Sequence, residues 1–149
     1  QHIKDVAITT DVIVGFPGET GEEFEETLNF VQKIGFSHIH VFKYSKREGT
    51  KAAKMPHQVP EAVKQYRSNE LISVAKKMSM DYKSLFLGKI EKILFEEEIE
   101  IDGKIYQIGH NERYIKFALR SDENLINRII RVKTERMLTD DLLLCSIQQ

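Results

Sequence analysis

Cysteine is almost missing from this 149-residue chain: Cys145 is the only one. An internal disulfide is therefore excluded, and so is a metal or iron–sulfur site built from this chain's own cysteines. Long apolar runs are missing too. None approaches the roughly 20 residues that span a bilayer, and no charged-then-apolar segment opens the sequence. Neither sign of charge dominates. The formal net charge is −1 at pH 7, so no global attraction to nucleic acid or anionic membrane operates. The apolar fraction of 41% and charged fraction of 30% are those of an ordinary globular protein. The length suits one domain or two small ones. Together these features lead us to expect a cytoplasmic protein with no membrane partner.

What is present changes character along the chain. Val6-Ala-Ile-Thr-Thr-Asp-Val-Ile-Val14 reads as a buried strand, β-branched and ended by Gly15. Thr20-Gly-Glu-Glu23 is a capping box that opens a helix. Phe24, Leu28, Val31 and Ile34 then recur at helical spacing, and Gly35 suits the helix end. Ser37-His-Ile-His-Val-Phe-Lys43 is a second strand. Strand, helix and strand joined this tightly predict a parallel βαβ unit. A long polar loop from Tyr44 to Val59 follows, and Pro60 opens a second helix with an apolar stripe from Leu71 to Leu85.

Past Gly88 the apolar period shortens from 3.6 to 2. Lys89–Phe95, Glu100–Ile105 with its Asp102-Gly103 turn, Arg113–Leu119, Arg128–Lys133 and Leu142–Ile147 read as short strands. The predicted fold class is α/β followed by all-β, with a small OB-like five-stranded β-barrel at the end. The expected division is residues 1–86 and residues 87–149. The chain opens on Gln1, and only two strands of the first kind precede the change of pattern. Two parallel strands cannot cover both faces of a sheet, so the reading is a piece of a longer protein. Strands without their neighbours leave open edges and exposed apolar faces, and self-association of such a piece is expected.

Three segments can carry chemistry. The turn Gly15-Phe16-Pro17-Gly18-Glu19 joins a strand to a helix, the corner where α/β proteins place ligands. Its glycines allow close approach of the backbone, and Glu19 suits a cationic or hydroxyl-bearing group. It reads equally as a tight turn with solvated acids. The loop Phe42-Lys-Tyr-Ser-Lys-Arg-Glu-Gly-Thr-Lys51 is the most basic stretch. It fits either a polyanion such as RNA or a merely solvated loop. The third, Ile108-Gly-His-Asn-Glu-Arg-Tyr-Ile-Lys-Phe117, offers Tyr114 for stacking and Lys116 for phosphate, or is a strand with a polar face. His38 and His40 share one strand face, but no third ligand follows. No catalytic constellation and no metal site emerge.

Read together, these blocks resemble a known family. Thr10-Asp-Val-Ile-Val-Gly-Phe-Pro-Gly-Glu-Thr20, Phe36-Ser-His-Ile-His-Val-Phe42, and Tyr44-Ser-Lys-Arg-Glu-Gly-Thr50 with Ala52-Ala53 look like the radical S-adenosylmethionine methylthiotransferases that modify tRNA. Gly109-His-Asn-Glu-Arg-Tyr-Ile-Lys-Phe117 looks like their C-terminal TRAM domain, an RNA-binding β-barrel. The wording is most similar to the branch acting on threonylcarbamoyladenosine beside the anticodon.

The resemblance implies that residues 1–86 are the last two βα units of a partial (β/α)6 barrel and that residues 87–149 are TRAM-like. It implies S-adenosylmethionine and 4Fe-4S clusters as cofactors of the full-length enzyme. The family's Cys-x3-Cys-x2-Cys motif is absent here, so this chain alone is expected to be inactive and to bind neither cofactor by itself. The expected partners are tRNA and the N-terminal part of the same protein. A non-catalytic RNA-binding module is the alternative reading.

Carried over residue by residue, the resemblance puts Gly15, Phe16, Pro17, Gly18, Glu19, Phe42 and Arg47 near the cofactor. Lys46, Arg47, Lys51, Arg113, Tyr114 and Lys116 are the expected RNA contacts. Asn111 and Arg113 stand where relatives carry Thr and Asn. Arg113 would add a cation toward RNA, and Asn111 leaves the loop geometry open.

Overall fold

The computed structural model describes residues 3–148. They divide into two compact units: Ala7–Ser79 forms one, and the residues before Ala7 join those from Met80 onward in the other. The division falls inside a helix, a few residues before the change of apolar period past Gly88.

In the first unit, β1 (Thr9–Val14) and β2 (His38–Lys43) pair in parallel, from Thr9 opposite His38 to Val14 opposite Lys43. α1 (Gly21–Ile34) connects them. Its start is written locally. The Thr20 hydroxyl accepts from the Glu23 N–H, and the Glu23 carboxylate accepts from the Thr20 N–H, so two otherwise orphaned donors are satisfied. The Gly35 N–H returns to the Val31 carbonyl and ends the helix. α2 (Glu61–Ser84) follows Pro60, whose carbonyl accepts from Val63 and Lys64.

Phe24, Leu28 and Val31 of α1, with Leu71 and Ala75 of α2, bury Val14 and Ile39 of the sheet. The other face of the sheet is bare. Ile13 and Phe42 lie opposite each other there, 55% and 51% exposed. Thr9, Asp11, His38 and His40 share that face. The run from Val6 to Val14, whose composition suggests a strand buried throughout, pairs only from Thr9 and is covered on alternate residues. The β-branched composition reports strand propensity, whereas burial depends on helices that pack on one side only.

The second unit is a closed five-stranded barrel in the order β3-β4-β5-β7-β6. Its strands are β3 (Ile90–Ile101), β4 (Lys104–His110), β5 (Lys116–Leu119), β6 (Ile129–Met137) and β7 (Leu142–Ile147). Every pairing is antiparallel except β5 with β7, and β3 against β6 closes the ring. Asp102 and Gly103 both take positive φ, 50° and 71°, as a two-residue hairpin turn of the primed type requires.

Phe95, Phe117, Ile93, Val132 and Leu143 fill the interior beneath Phe86. Alternate residues of β4, β5 and β7 face the other way. Among them Tyr106, Ile108, Ala118 and Leu142 form a second cluster, covered by Ile99, Ile101 and Leu138. A bulge at Phe95/Glu97 separates the two halves of β3. Among the described residues no helix is long and apolar enough to cross a membrane.

Candidate functional site

The carboxyl ends of β1 and β2 carry the first candidate site. The chain leaves β1 through Gly15, which has a φ of 72° and is buried. A Cβ added there would lie 2.1 Å from Cγ of Lys64, so the Lys64 stem can cross the turn only over a glycine. The Lys64 ammonium donates to the Tyr44 carbonyl at 3.1 Å and pairs with Glu61 at 2.7 Å. Glu61 is also held by Lys43 at 2.6 Å. Hydrogen bonds from Lys43 and then Lys64 pull its carboxyl down to about 2.

Glu19 points inward. Its carboxylate accepts from the Gly15 N–H and from Arg67 at 2.6 Å, and Arg67 also donates to the Glu19 carbonyl at 3.0 Å. Both side chains are largely buried, 7% exposed for Arg67 and 14% for Glu19. The Arg67 guanidinium lies over the Phe24 ring, 5.5 Å from its centroid. Glu19 thus has partners from within the fold, where its sequence position suggests a group offered to a ligand. The turn's amides are engaged as well: the Gly18 N–H donates to the His57 carbonyl and the Glu19 N–H to the Phe16 carbonyl.

What the corner offers outward is apolar. Phe16 is 43% exposed and meets Tyr44 edge-on at 5.3 Å. Phe42 stands nearby at the end of β2, and Pro17 is buried. The Tyr44 hydroxyl is buried without a hydrogen-bond partner among the described residues.

The loop from Tyr44 to Val59 is organised by its own side chains. The Thr50 hydroxyl donates to the Arg47 carbonyl and accepts from the Ala53 N–H beside a 3-10 turn at Ala52–Lys54, while Gln58 donates to the Ala52 and Met55 carbonyls. Lys46, Arg47 and Lys51 are exposed on this loop, with no acidic partner among the described residues.

The second candidate lies on the barrel, in the loop between β4 and β5. Asn111 is 5% exposed and builds the loop. Its side-chain oxygen accepts from the N–H groups of Arg113 and Ile115, and its amide donates to Glu91. The loop geometry that the sequence leaves open is thereby set. Arg113 is turned inward: it donates to the Asp5 carbonyl at 2.9 Å, pairs with Glu112 at 2.8 Å and covers the Phe86 ring. Tyr82 also donates to that Asp5 carbonyl, and Lys89 meets the Asp5 carboxylate at 3.1 Å. The hydrogen bond from Lys89 holds the Asp5 carboxyl below its ordinary value. Tyr114 is the outward group of the loop, 86% exposed at a positive φ of 57°. Lys116 opens β5 opposite His110.

Sequence reading missed Arg67, Lys64 and Tyr44. Arg67 had a signal: it stands four residues before Leu71, in register with the buried stripe of α2. A charged residue on such a stripe calls for a buried partner.

The donor set does not fit an iron–sulfur cluster. The Cys145 thiol is buried against the Ala118 carbonyl, and burial, with Glu135 adding to it, pushes its pKa up to about 12, far from the thiolate a metal needs. Among the described residues no group of three or more His, Cys, Asp or Glu side chains is placed to hold a metal.

No protein-family model matches the chain, but curated relatives do. It is 43% identical over 134 residues to the threonylcarbamoyladenosine tRNA methylthiotransferase MtaB of Bacillus subtilis, covering 89% of this chain and 30% of that protein. It is 39% identical over 139 residues to the tRNA-2-methylthio-N(6)-dimethylallyladenosine synthase of Acetivibrio thermocellus, covering 93% and 29%. A synthase of the same name from Caldicellulosiruptor saccharolyticus is 49% identical over 96 residues, covering 64% and 20%. The chain belongs to the family of these tRNA methylthiotransferases, the one its motifs resemble. It spans about 30% of the length of the Bacillus subtilis relative.

Proposed function

We propose that the chain is the carboxyl-terminal part of a radical S-adenosylmethionine tRNA methylthiotransferase, a cytoplasmic enzyme that inserts a methylthio group into a modified adenosine beside the anticodon. The observation that carries this reading is identity of 43% over 134 residues with an enzyme named for that reaction. The wording of Phe36–Phe42 and Tyr44–Thr50 favours threonylcarbamoyladenosine as the modified base.

In this reading residues 1–86 supply the last two βα units of a partial (β/α)6 barrel. The bare face of β1 and β2 supports it, because a parallel sheet is normally covered on both sides. Residues 87–149 are the TRAM-like barrel that meets tRNA, and their OB-like strand order supports that.

Gly15, Phe16, Pro17 and Gly18 form the lip of the S-adenosylmethionine site, and Phe42 flanks it. Glu19 acts from behind, locking the turn through Gly15 and Arg67. S-adenosylmethionine, when bound, is the source of the radical. Arg47 meets a carboxylate or phosphate, with Lys46 and Lys51 beside it. The cluster-binding cysteines belong to the rest of the enzyme, so this chain alone is inactive.

Nucleoside mass spectrometry of tRNA from cells lacking the gene tests the proposal. Loss of a 2-methylthio adenosine derivative is expected, and an unchanged nucleoside profile would overturn it. A non-catalytic RNA-binding module would leave that profile intact while the chain still bound tRNA.

A further inference from the structure

The barrel's outer surface is divided by charge in a way the composition hides. The far half of β3 carries Glu96, Glu97, Glu98 and Glu100, and RNA would be repelled there. The near half is different. Strand register sets Ile129 of β6, Leu94 of β3, His110 of β4 and Lys116 of β5 in one cross-strand row. The next pairs along β3 and β6 are Lys92 with Arg131 and Ile90 with Lys133. All of these alternate with the buried interior residues, so they share the outer face. Ile129 is 70% exposed.

Lys92, Arg131 and Lys133 are exposed, with no acidic partner among the described residues. Tyr114 lines a groove with Lys92, Leu94, His110 and Ile129, its ring 6.1 Å from that of His110. Two carboxylates border the groove. Glu96 is met by His110 at 2.6 Å and Glu112 by Arg113 at 2.8 Å. Glu135 lies two residues beyond Lys133 on β6 and ends the basic strip.

From this arrangement we infer that the β3–β6 outer face is where the barrel takes single-stranded RNA. One unpaired base stacks on Tyr114 over the aliphatic floor of Leu94 and Ile129. Successive phosphates follow Lys92, Arg131 and Lys133, with Lys116 at the edge. Stacking on an aromatic beside a cationic track is how unpaired strands are held without reading a particular sequence. The Asn111 clamp fixes Tyr114 outward in advance, so little ordering remains for binding. Arg113, anchored to Asp5, stays out of the contact. The inference rests on the tRNA reading and adds which face and which strand form it recognises.

Fluorescence anisotropy of the 149-residue chain with a labelled anticodon stem-loop RNA and with a fully paired RNA duplex tests it. The stem-loop should bind more tightly than the duplex. The triple variant Lys92→Gln, Arg131→Gln, Lys133→Gln should weaken stem-loop binding about tenfold or more and flatten the log–log salt slope by about 2. Tyr114→Asn, a residue that tolerates positive φ, should weaken binding about fivefold or more and leave the slope unchanged. The comparison variant is Lys104→Gln, Arg120→Gln, Arg136→Gln, on a separate basic groove beside Tyr106 and Leu144. If that triple weakens binding and the β3–β6 variants do not, the face is wrong while the tRNA reading stands. Tighter binding of the duplex would overturn the single-strand assignment alone. Absence of binding to either RNA at low salt would remove the tRNA reading and the face together.

Discussion

The two units solve the same problem to different degrees. The barrel pairs every strand on both sides, because β3 meets β6 and no edge is left. The βαβ unit has two strands, one face under α1 and α2, and one face bare. Both place an exposed aromatic beside a tight loop, and both set that loop with a buried polar residue from within. In the barrel the residue is Asn111, which bonds its own loop. In the βαβ unit it is Glu19, which needs Arg67 from α2. The barrel thus has no open edge, while one face of the βαβ sheet leaves the ionisable and aromatic side chains of Asp11, His40 and Phe42 exposed. A closed barrel and a two-stranded sheet with one exposed face are carried by one chain.

Three substitutions probe that contrast, from the largest effect to the smallest. Arg67→Ala leaves the Glu19 carboxylate buried with only the Gly15 amide. It should destabilise the βαβ unit by about 3–5 kcal/mol and leave the barrel's exchange protection unchanged. Chemical denaturation followed by hydrogen exchange reads this out, and a barrel that loosens in step would show that the units are not energetically separate. Asn111→Ala should act the other way round. It costs the barrel about 2 kcal/mol by orphaning the Ile115 and Arg113 amides, and amide protection around Ile115 should fall while β1 and β2 are unaffected.

The smallest effect concerns pH. The Glu61 carboxyl is lowered from its ordinary 4.5 to about 2, so its ion pairs with Lys43 and Lys64 favour the folded form above pH 4.5. That contribution is lost as pH falls toward 2. Glu61 is well exposed, so the effect is modest. Glu61→Gln should melt like the parent chain at pH 2 and slightly earlier at pH 6; equal melting at both would show that these ion pairs do not stabilise the fold.

The features legible in the sequence were local ones. The Thr20–Glu23 capping box and the Asp102-Gly103 turn depend on neighbours within a few residues, and the structure reproduces both. The change of apolar period marked the strands because side-chain alternation is a local property. The features that escaped join distant parts of the chain. Glu19 and Arg67 are 48 residues apart and Arg113 reaches Asp5 across 108. No spacing rule predicts such partners, so Arg113 read as a surface cation and Glu19 as a ligand group. The parallel pairing of β5 with β7 was hidden for the same reason. The bare face of β1 and β2 was legible from the strand count, whereas the reading of Val6–Val14 as buried throughout failed because composition does not tell how many helices pack on a strand.

Native-state hydrogen exchange on the unmodified chain tests the central contrast most directly. The amides of β3 to β7 should exchange only through the barrel's global unfolding, whereas those of β1 and β2 should exchange through a cheaper local opening of the uncovered sheet. Protection of β1 and β2 equal to that of the barrel strands, in a monomeric chain, would contradict it.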